Sequence, residues 1–288
     1  MVTAYASLDK TITAINEDAF GFVEKPFEVP HLESLIRDAM TKQKLKSSLI
    51  ASEKKYREAY KKAEFYKDLC SHDINNILQT ILSGMQLCEM EVEDQHKIKS
   101  IIKIVIDQID RGANLVSNIR KLSELDETKM SLKRTEICKI LKTSVDYIKK
   151  SYTDKEINTK VDLVSEQLYI QANELIRDVF ENILINAIKH NKSAILEIEV
   201  KVSKEVRLGL NYLKIEFQDN GQGVSDLRKE EIFQRGYGKN KTAHGMGLGL
   251  SLVKKIMENY NGEIWVEDRI NGDYSKGSNF VLLIPEVN

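Results

Sequence analysis

Proline occurs three times in the 288-residue chain, at Pro26, Pro30 and Pro285, and not at all between His31 and Ile284. Over that span nothing in the backbone forbids a helix. Glycine is equally uneven: Gly21, Gly84 and Gly112 precede Gly209, and eleven of the fourteen lie from Gly209 onward. The two distributions predict a helical N-terminal part and a loop-bearing C-terminal domain. With 43 Lys+Arg against 44 Asp+Glu the net charge is −1, so no basic excess exists to neutralise a nucleic-acid backbone. Cys70, Cys88 and Cys138 form no CxxC pair, which argues against a zinc site or a disulfide framework. No apolar run approaches the ~20 residues needed to span a bilayer, and no basic-then-apolar leader opens the chain. The expectation is a soluble, cytoplasmic protein with neither a nucleic-acid nor a membrane partner.

Along the chain, MVTAYAS and FGFVEKPF read as strands around an amphipathic helix, LDKTITAINEDA. From His31 to Asp68 the pattern is helical. Leu45, Leu49, Tyr56, Ala59, Ala63, Tyr66 and Cys70, with polar Ser52 filling the gap after Leu49, recur at spacings of three and four, a weak coiled-coil seam. Ile74, Ile77, Leu78, Ile81, Met85 and Cys88 form a stronger stripe. After the polar EMEVEDQHK comes another: Ile98, Ile101, Ile102, Val105, Ile109, Leu115, Val116, Ile119 and Leu122. Two striped helices joined by a short polar turn predict an antiparallel hairpin. A second copy would bury its open side in a four-helix bundle, so a homodimer is expected. A hinge is placed near Leu125–Met130. Beyond it the pattern predicts helices at 136–150, 173–190 and 247–260, with strands near 156–163, 168–171, 194–203, 207–218, 262–268 and 278–284. The fold class is therefore α+β: a helical hairpin followed by a two-layer α/β sandwich with a mixed sheet.

The C-terminal domain carries the chemistry. Asn182 and Asn186 are four apart and share a helix face, with Lys189 a turn further. Amide oxygens so placed suit a hard cation such as Mg²⁺, although taken alone they are equally two polar residues on a wet face. A strand, IEFQ, runs into Asp219-Asn220-Gly221-Gln222-Gly223, which is a plain turn or a carboxylate poised to accept from a ligand amine. His244-Gly245-Met246-Gly247-Leu248-Gly249 opens a helix and offers free N–H groups to an anion. It is not the dinucleotide fingerprint, and no G-x-x-x-x-G-K-[ST] occurs. The basic, glycine-rich FQRGYGKNKTAHG between them has the character of a lid. Each signal is weak alone. Their order is not.

That order, Asn182/Asn186, DNGQG, Ile232-Phe233, GMGLGL and Gly277-Ser278-x-Phe280, resembles the nucleotide-binding boxes of histidine kinases, within the wider GHKL ATPases. The likeness covers about residues 68–287. It implies the Bergerat ATP-binding fold with ATP and Mg²⁺ as cofactors. It implies Asn182 and Asn186 as Mg²⁺ ligands, Lys189 at phosphate, and Asp219 on the adenine amine. Gly221 and Gly223 would shape the base pocket, and Gly245, Gly247, Leu248 and Gly249 the phosphate loop. His190, Phe233, Lys239 and Ser278 complete the implied nucleotide set; His190 stands where the family often has Tyr.

At the head of the hairpin, Ser71-His72-Asp73-Ile74-Asn75-Asn76 resembles the family's phosphoacceptor box. A histidine is partly neutral at pH 7, so a ring nitrogen is available to attack phosphorus. The resemblance implies His72 as acceptor, Asp73 as general base and Asn76 as the residue that positions water for dephosphorylating a partner. The family often has a basic residue in place of Asn75 and Pro in place of Ile77. His31 and His96 read as surface residues. The first forty residues resemble the end of a response-regulator receiver domain, through Thr3-Ala4, Phe22 and Lys25-Pro26. The strands bearing the phosphoacceptor Asp are missing from it. Met1 then reads as an internal methionine of a longer chain, or the segment as a short docking element.

The resulting domain division is 1–40, receiver remnant; 41–67, helical linker; 68–126, dimerisation and phosphotransfer hairpin; 130–288, catalytic domain. The expected function is autophosphorylation of His72 from ATP and transfer to an Asp on a response regulator, the second partner. Two rivals are a GHKL ATPase that gates a dimer without phosphorylating histidine, and a non-catalytic scaffold for response regulators.

Overall fold

The computed structural model describes residues 2–3, 23–68, 73–90, 94–127, 130–153, 155–234 and 248–287. The chain divides into two units, Met1–Leu69 and Cys70–Asn288.

In the first unit, β1 (Val2–Thr3) and β2 (Val23–Glu24) pair in parallel, Val2 opposite Val23 and Thr3 opposite Glu24. The predicted helix LDKTITAINEDA between them, and Phe22, lie outside the described residues. Helix α1 is one continuous element, Val29–Asp68. Pro30 sits in its first turn, where a missing N–H costs nothing. Leu45, Leu49 and Tyr56 of the predicted seam are exposed.

The second unit opens with a π-type turn at Asp73–Ile74, then α2 (Asn75–Met90) and α3 (Gln95–Glu127). The two helices run antiparallel: a Cβ on Gly84 would meet Val105, and one on Gly112 would meet Ile77. Gly84 leaves room for the Val105 side chain, 2.5 Å from where that Cβ would stand, whereas a Cβ on Gly112 would make an ordinary contact with Ile77 at 3.5 Å. Ile77, Val105 and Leu115 are buried in this seam, but Leu78, Leu82, Met85, Ile102, Ile109 and Val116 are exposed. The predicted stripes are therefore wider than one hairpin can cover. The predicted hinge starts too early. Leu125 is helical and 6% exposed, and α3 continues to Glu127 because Leu122 and Leu125 are buried at its C-terminal end, where α3 meets α6 of the domain below.

The C-terminal domain has three helices, α4 (Ile137–Ser151), α5 (Leu175–Lys189) and α6 (Leu248–Asn259). Their strands are β3 (Lys133–Glu136), β4 (Glu156–Leu163), β5 (Tyr169–Ala172), β6 (Ile195–Arg207), β7 (Leu210–Asp219), β8 (Glu263–Ile270) and β9 (Asp273–Pro285). The main sheet has the order β4-β6-β7-β9-β8, parallel only between β4 and β6. β3 and β5 form a separate antiparallel pair. The sequence pattern does not predict β3, because KRTE is short and polar and its pairing with distant β5 has no local signature. Glu136, its last residue, caps α4 by accepting from the amides of Cys138 (2.6 Å) and Lys139 (3.2 Å).

Two predicted boundaries move. Arg207 belongs to β6, not to the following strand, since the turn is Leu208-Gly209 with both φ values positive (51° and 79°). That is the twist a two-residue hairpin needs, but leucine is an unusual residue to supply it. β9 begins at Asp273 rather than 278, directly after an Asn271-Gly272 hairpin turn. Helix α6 ends on a Schellman motif. Asn261 has φ 54°, its N–H donates to Glu258 O, and Gly262 N–H donates to Met257 O at 2.8 Å.

Helices and sheet share one core. Leu141 and Ile148 of α4, Ile176, Val179, Phe180 and Ile183 of α5, and Leu252 and Ile256 of α6 are all fully buried. So are Val200, Leu213, Ile215 and Leu282 of the sheet. Phe180 packs against Phe217 of β7 with ring centroids 5.9 Å apart, which locks the apolar face of α5 onto the sheet and turns its opposite face outward. Among the described residues no helix is long and apolar enough to cross a membrane. Phe180→Ala should destabilise the domain by about 3–5 kcal/mol in urea unfolding followed by circular dichroism, the usual cost of an emptied aromatic site.

Candidate nucleotide site

The site is built on three segments: the polar face of α5, the turn after β7 and the first turn of α6. On α5, Asn182 and Asn186 are half-buried and one turn apart. Asn182 donates its amide N–H to Asp178 O at 2.8 Å. That bond commits the nitrogen and leaves the side-chain oxygen aimed away. The oxygen lies 2.6 Å from where a Cβ on Gly249 would stand, so a larger residue at the second position of α6 would push the Asn182 carboxamide aside. An amide oxygen presented beside a helix start is the donor type a hard cation selects. Lys189 and His190 are exposed at the C-terminal end of α5, and His190 N–H donates to Asn186 O at 3.0 Å.

Asp219 ends β7 and is 5% exposed. One carboxylate oxygen accepts from Gly221 N–H at 2.8 Å and from Ser278 N–H at 3.5 Å. Both of these bonds go to the same oxygen, Oδ1. Burial pushes the carboxyl up to about 6, partly offset by the two amide donors. Holding it ionised at pH 7 costs on the order of 3 kcal/mol relative to an ordinary aspartate. That cost shrinks as pH falls below about 6, because the folded state then takes up the proton before the unfolded chain does.

Three glycines allow close approach around this turn, two against backbone carbonyls and one against the carboxylate. A Cβ on Gly277 (φ 121°) would stand 1.9 Å from Asp219 O, and one on Gly223 (φ 67°) would stand 1.6 Å from Tyr274 O. A Cβ on Gly221 would be 2.7 Å from the Asp219 carboxylate oxygen. Ser278 is buried beside it. Phe233 is buried edge-on against Phe280, with centroids 6.3 Å apart; the predicted lid after Gln234 lies outside the described residues. Leu248 is buried at the head of α6. Lys239, Gly245, Gly247 and His72 lie outside the described residues. Asp73 is half-buried and Asn76 exposed at the start of the hairpin.

Some supporting residues carry no recognisable sequence signal. Lys229 bridges Asp226 and Asp268, at 2.6 and 2.7 Å, and ties the segment after β7 to β8. Lys121 of α3 pairs with Asp178 of α5 at 2.5 Å, one turn before Asn182. Asp268 and Asp178 are both far in sequence from the lysines they meet. A groove of about 830 Å³ opens on the far side of Gly221, lined by Lys192, Glu197, Asn220, Arg269 and Lys276. Neither Asn182 nor Asn186 lines it.

This geometry agrees with the comparisons to known proteins. Residues 171–288 match the family described as histidine kinase-, DNA gyrase B- and HSP90-like ATPase. Across a longer stretch, the chain is 27% identical over 256 residues to the autoinducer 2 sensor kinase/phosphatase LuxQ of Vibrio vulnificus, covering 83% of this chain and 28% of that one. It is 25% identical over 226 residues to cyanobacterial phytochrome A of Nostoc sp., covering 75% of this chain and 28% of the relative. The chain thus spans under a third of the length of these two relatives. The fold resembles that of histidine kinase ThkA in complex with response regulator protein TrrA: TM-score 0.58, 20% identity, 81% of this chain and 66% of that one.

Gly277→Ala should cost at least about 2 kcal/mol of stability in urea denaturation, since the methyl group meets backbone and φ is unsuited to alanine. Gly272→Ala is the control: its φ is also positive (83°), but nothing lies within 4 Å, so the excess loss at Gly277 isolates the clash with Asp219.

Proposed function

We propose that the chain is an ATP-dependent protein-histidine kinase of a two-component system, acting through His72. The observation that carries this reading is the facing of the Asn182 carboxamide and Gly249, together with the buried Asp219 carboxylate at the end of β7. The arrangement suits a nucleotide held by its base at one end and its phosphates at the other. Mg²⁺, when bound, neutralises charge on the phosphate chain. Asn182 and Asn186 supply amide oxygens to it, and the exposed ammonium of Lys189 adds positive charge. Asp219 accepts from the exocyclic amine of adenine, while Gly221 and Gly223 let the base approach the backbone.

In the transfer, a neutral ring nitrogen of His72 attacks the γ-phosphorus. A P–N bond forms, the bond to the β-phosphate oxygen breaks, and ADP leaves. Asp73 holds the opposite ring N–H and takes up its proton. The acceleration comes mainly from alignment and charge neutralisation. The phosphoryl group then passes to a carboxylate of a response regulator, and Asn76 orients water when the regulator is dephosphorylated. A homodimer is supported by the exposed apolar residues on both hairpin helices, which a second copy would cover. The parallel pairing of β1 with β2 supports a receiver-like end for residues 1–40. A cytoplasmic location is part of the same proposal.

Two experiments test this. γ-labelled ATP should give an acid-labile, alkali-stable label on the chain that is lost in His72→Gln; label retained in that variant overturns the assignment. Affinity for ADP, measured by calorimetry, should fall as pH is lowered through about 6, where Asp219 gains a proton and ceases to be a charged acceptor. Inosine diphosphate, which presents an oxygen in place of the amine but shares the terminal phosphate that also titrates at about pH 6, should weaken less, so the ratio of ADP to inosine diphosphate affinity should fall over the same range.

A further inference from the structure

Beneath the Asp219–Gly223 turn lies a second hydrogen-bonded unit that none of these roles uses. Asn191, two residues after Lys189, is 4% exposed. Its amide N–H donates to Asn220 Oδ1 at 2.6 Å, and its own Oδ1 accepts from Ser193 N–H at 2.9 Å. Asn220 Oδ1 also accepts from Glu197 N–H at 2.9 Å, and Asn220 Nδ2 donates to Ile195 O at 3.0 Å. Its backbone is held too: N–H donates to Glu197 O at 3.3 Å, and the carbonyl accepts from Ser193 Oγ at 3.2 Å.

Asn220 is the residue between Asp219 and Gly221, so fixing it fixes both neighbours. The Gly221 N–H is the nearer donor to the Asp219 carboxylate, and a Cβ at Gly221 would lie 3.2 Å from His190 O. Gln222 N–H reaches the same carbonyl at 3.4 Å. The two asparagines therefore tie the end of α5, which carries Asn182 and Asn186, to the turn that aims Asp219. Each amide is used as donor and acceptor at once. Aspartate would remove the donor and set two acceptor oxygens against each other, at 2.6 Å for Asn191 and 3.0 Å for Asn220.

We propose that Asn191 and Asn220 are positioning residues for base recognition. They fix the orientation of the Asp219 carboxylate and so set the preference for a purine bearing an exocyclic amine. The proposal rests on the nucleotide reading above. Its test has a readout that loss of packing alone would not move: the ratio of affinities for ADP and inosine diphosphate. A site built to hydrogen-bond one group rejects an analogue lacking it only while its own groups are correctly aimed. In Asn191→Asp the ADP preference should drop about tenfold towards unity, with ADP affinity falling and inosine diphosphate affinity nearly constant. Asn220→Asp should move the ratio in the same direction, and it provides the measurement if the first variant does not fold. Equal weakening towards both nucleotides in a folded variant, or an unchanged ratio in both, overturns the proposal. Failure of the unaltered chain to bind either nucleotide would overturn the nucleotide reading itself, and is recognised before any variant is made.

Discussion

A carboxylate kept in the protein interior organises the C-terminal domain. Asp219 is charged at neutral pH only against the cost of its burial, which two backbone N–H groups and the charge of Arg269 offset in part. Such a group is tolerable where a ligand donor completes its hydrogen bonding. Everything near it is arranged for close approach: Gly277 against its carbonyl, Gly221 against its side chain, Gly223 against Tyr274. The stability lost at this point is supplied elsewhere, by the fully apolar layer between the sheet and α4, α5 and α6.

The same layer explains how the site is coupled to the helical hairpin. α3 does not stop at the edge of the domain. Leu122 and Leu125 are buried at its C-terminal end, and Lys121 reaches Asp178 on the helix that bears the Asn pair. The side chains of that ion pair are about a quarter exposed, so its contribution is small. Burial of the two leucines contributes more, each on the order of 2 kcal/mol. The contact is therefore mainly apolar, with the ion pair setting its register.

Legibility in the sequence differs from element to element. α4, α5 and α6 are legible because each has an amphipathic period long enough to stand out, and β4 because it alternates residue by residue. β3 is not, since KRTE gains its strand character from β5. The β6–β7 turn is misplaced by the pattern because Leu208 does not announce a left-handed conformation, whereas Asn271-Gly272 is an ordinary hairpin signal that the predicted start of β9 passes over. In the site, the order of the Asn pair, the DNGQG turn and Gly277-Ser278 points to a nucleotide. The Lys229–Asp268 and Asn191–Asn220 bonds are invisible in the sequence, because each joins residues whose nearness exists only after the sheet has closed.

Local patterning thus determined which segments are helices and strands, and which residue types cluster before and after them, since periodicity and glycine spacing act over a few residues. Tertiary structure alone decided how far the hairpin stripes stay uncovered, where α3 ends, and that the oxygen rather than the nitrogen of the Asn182 amide faces Gly249. It also decided that Asp219 is buried enough to titrate near 6. These depend on distances between segments far apart in the chain, and a linear sequence holds those distances only through the folded packing that realises them.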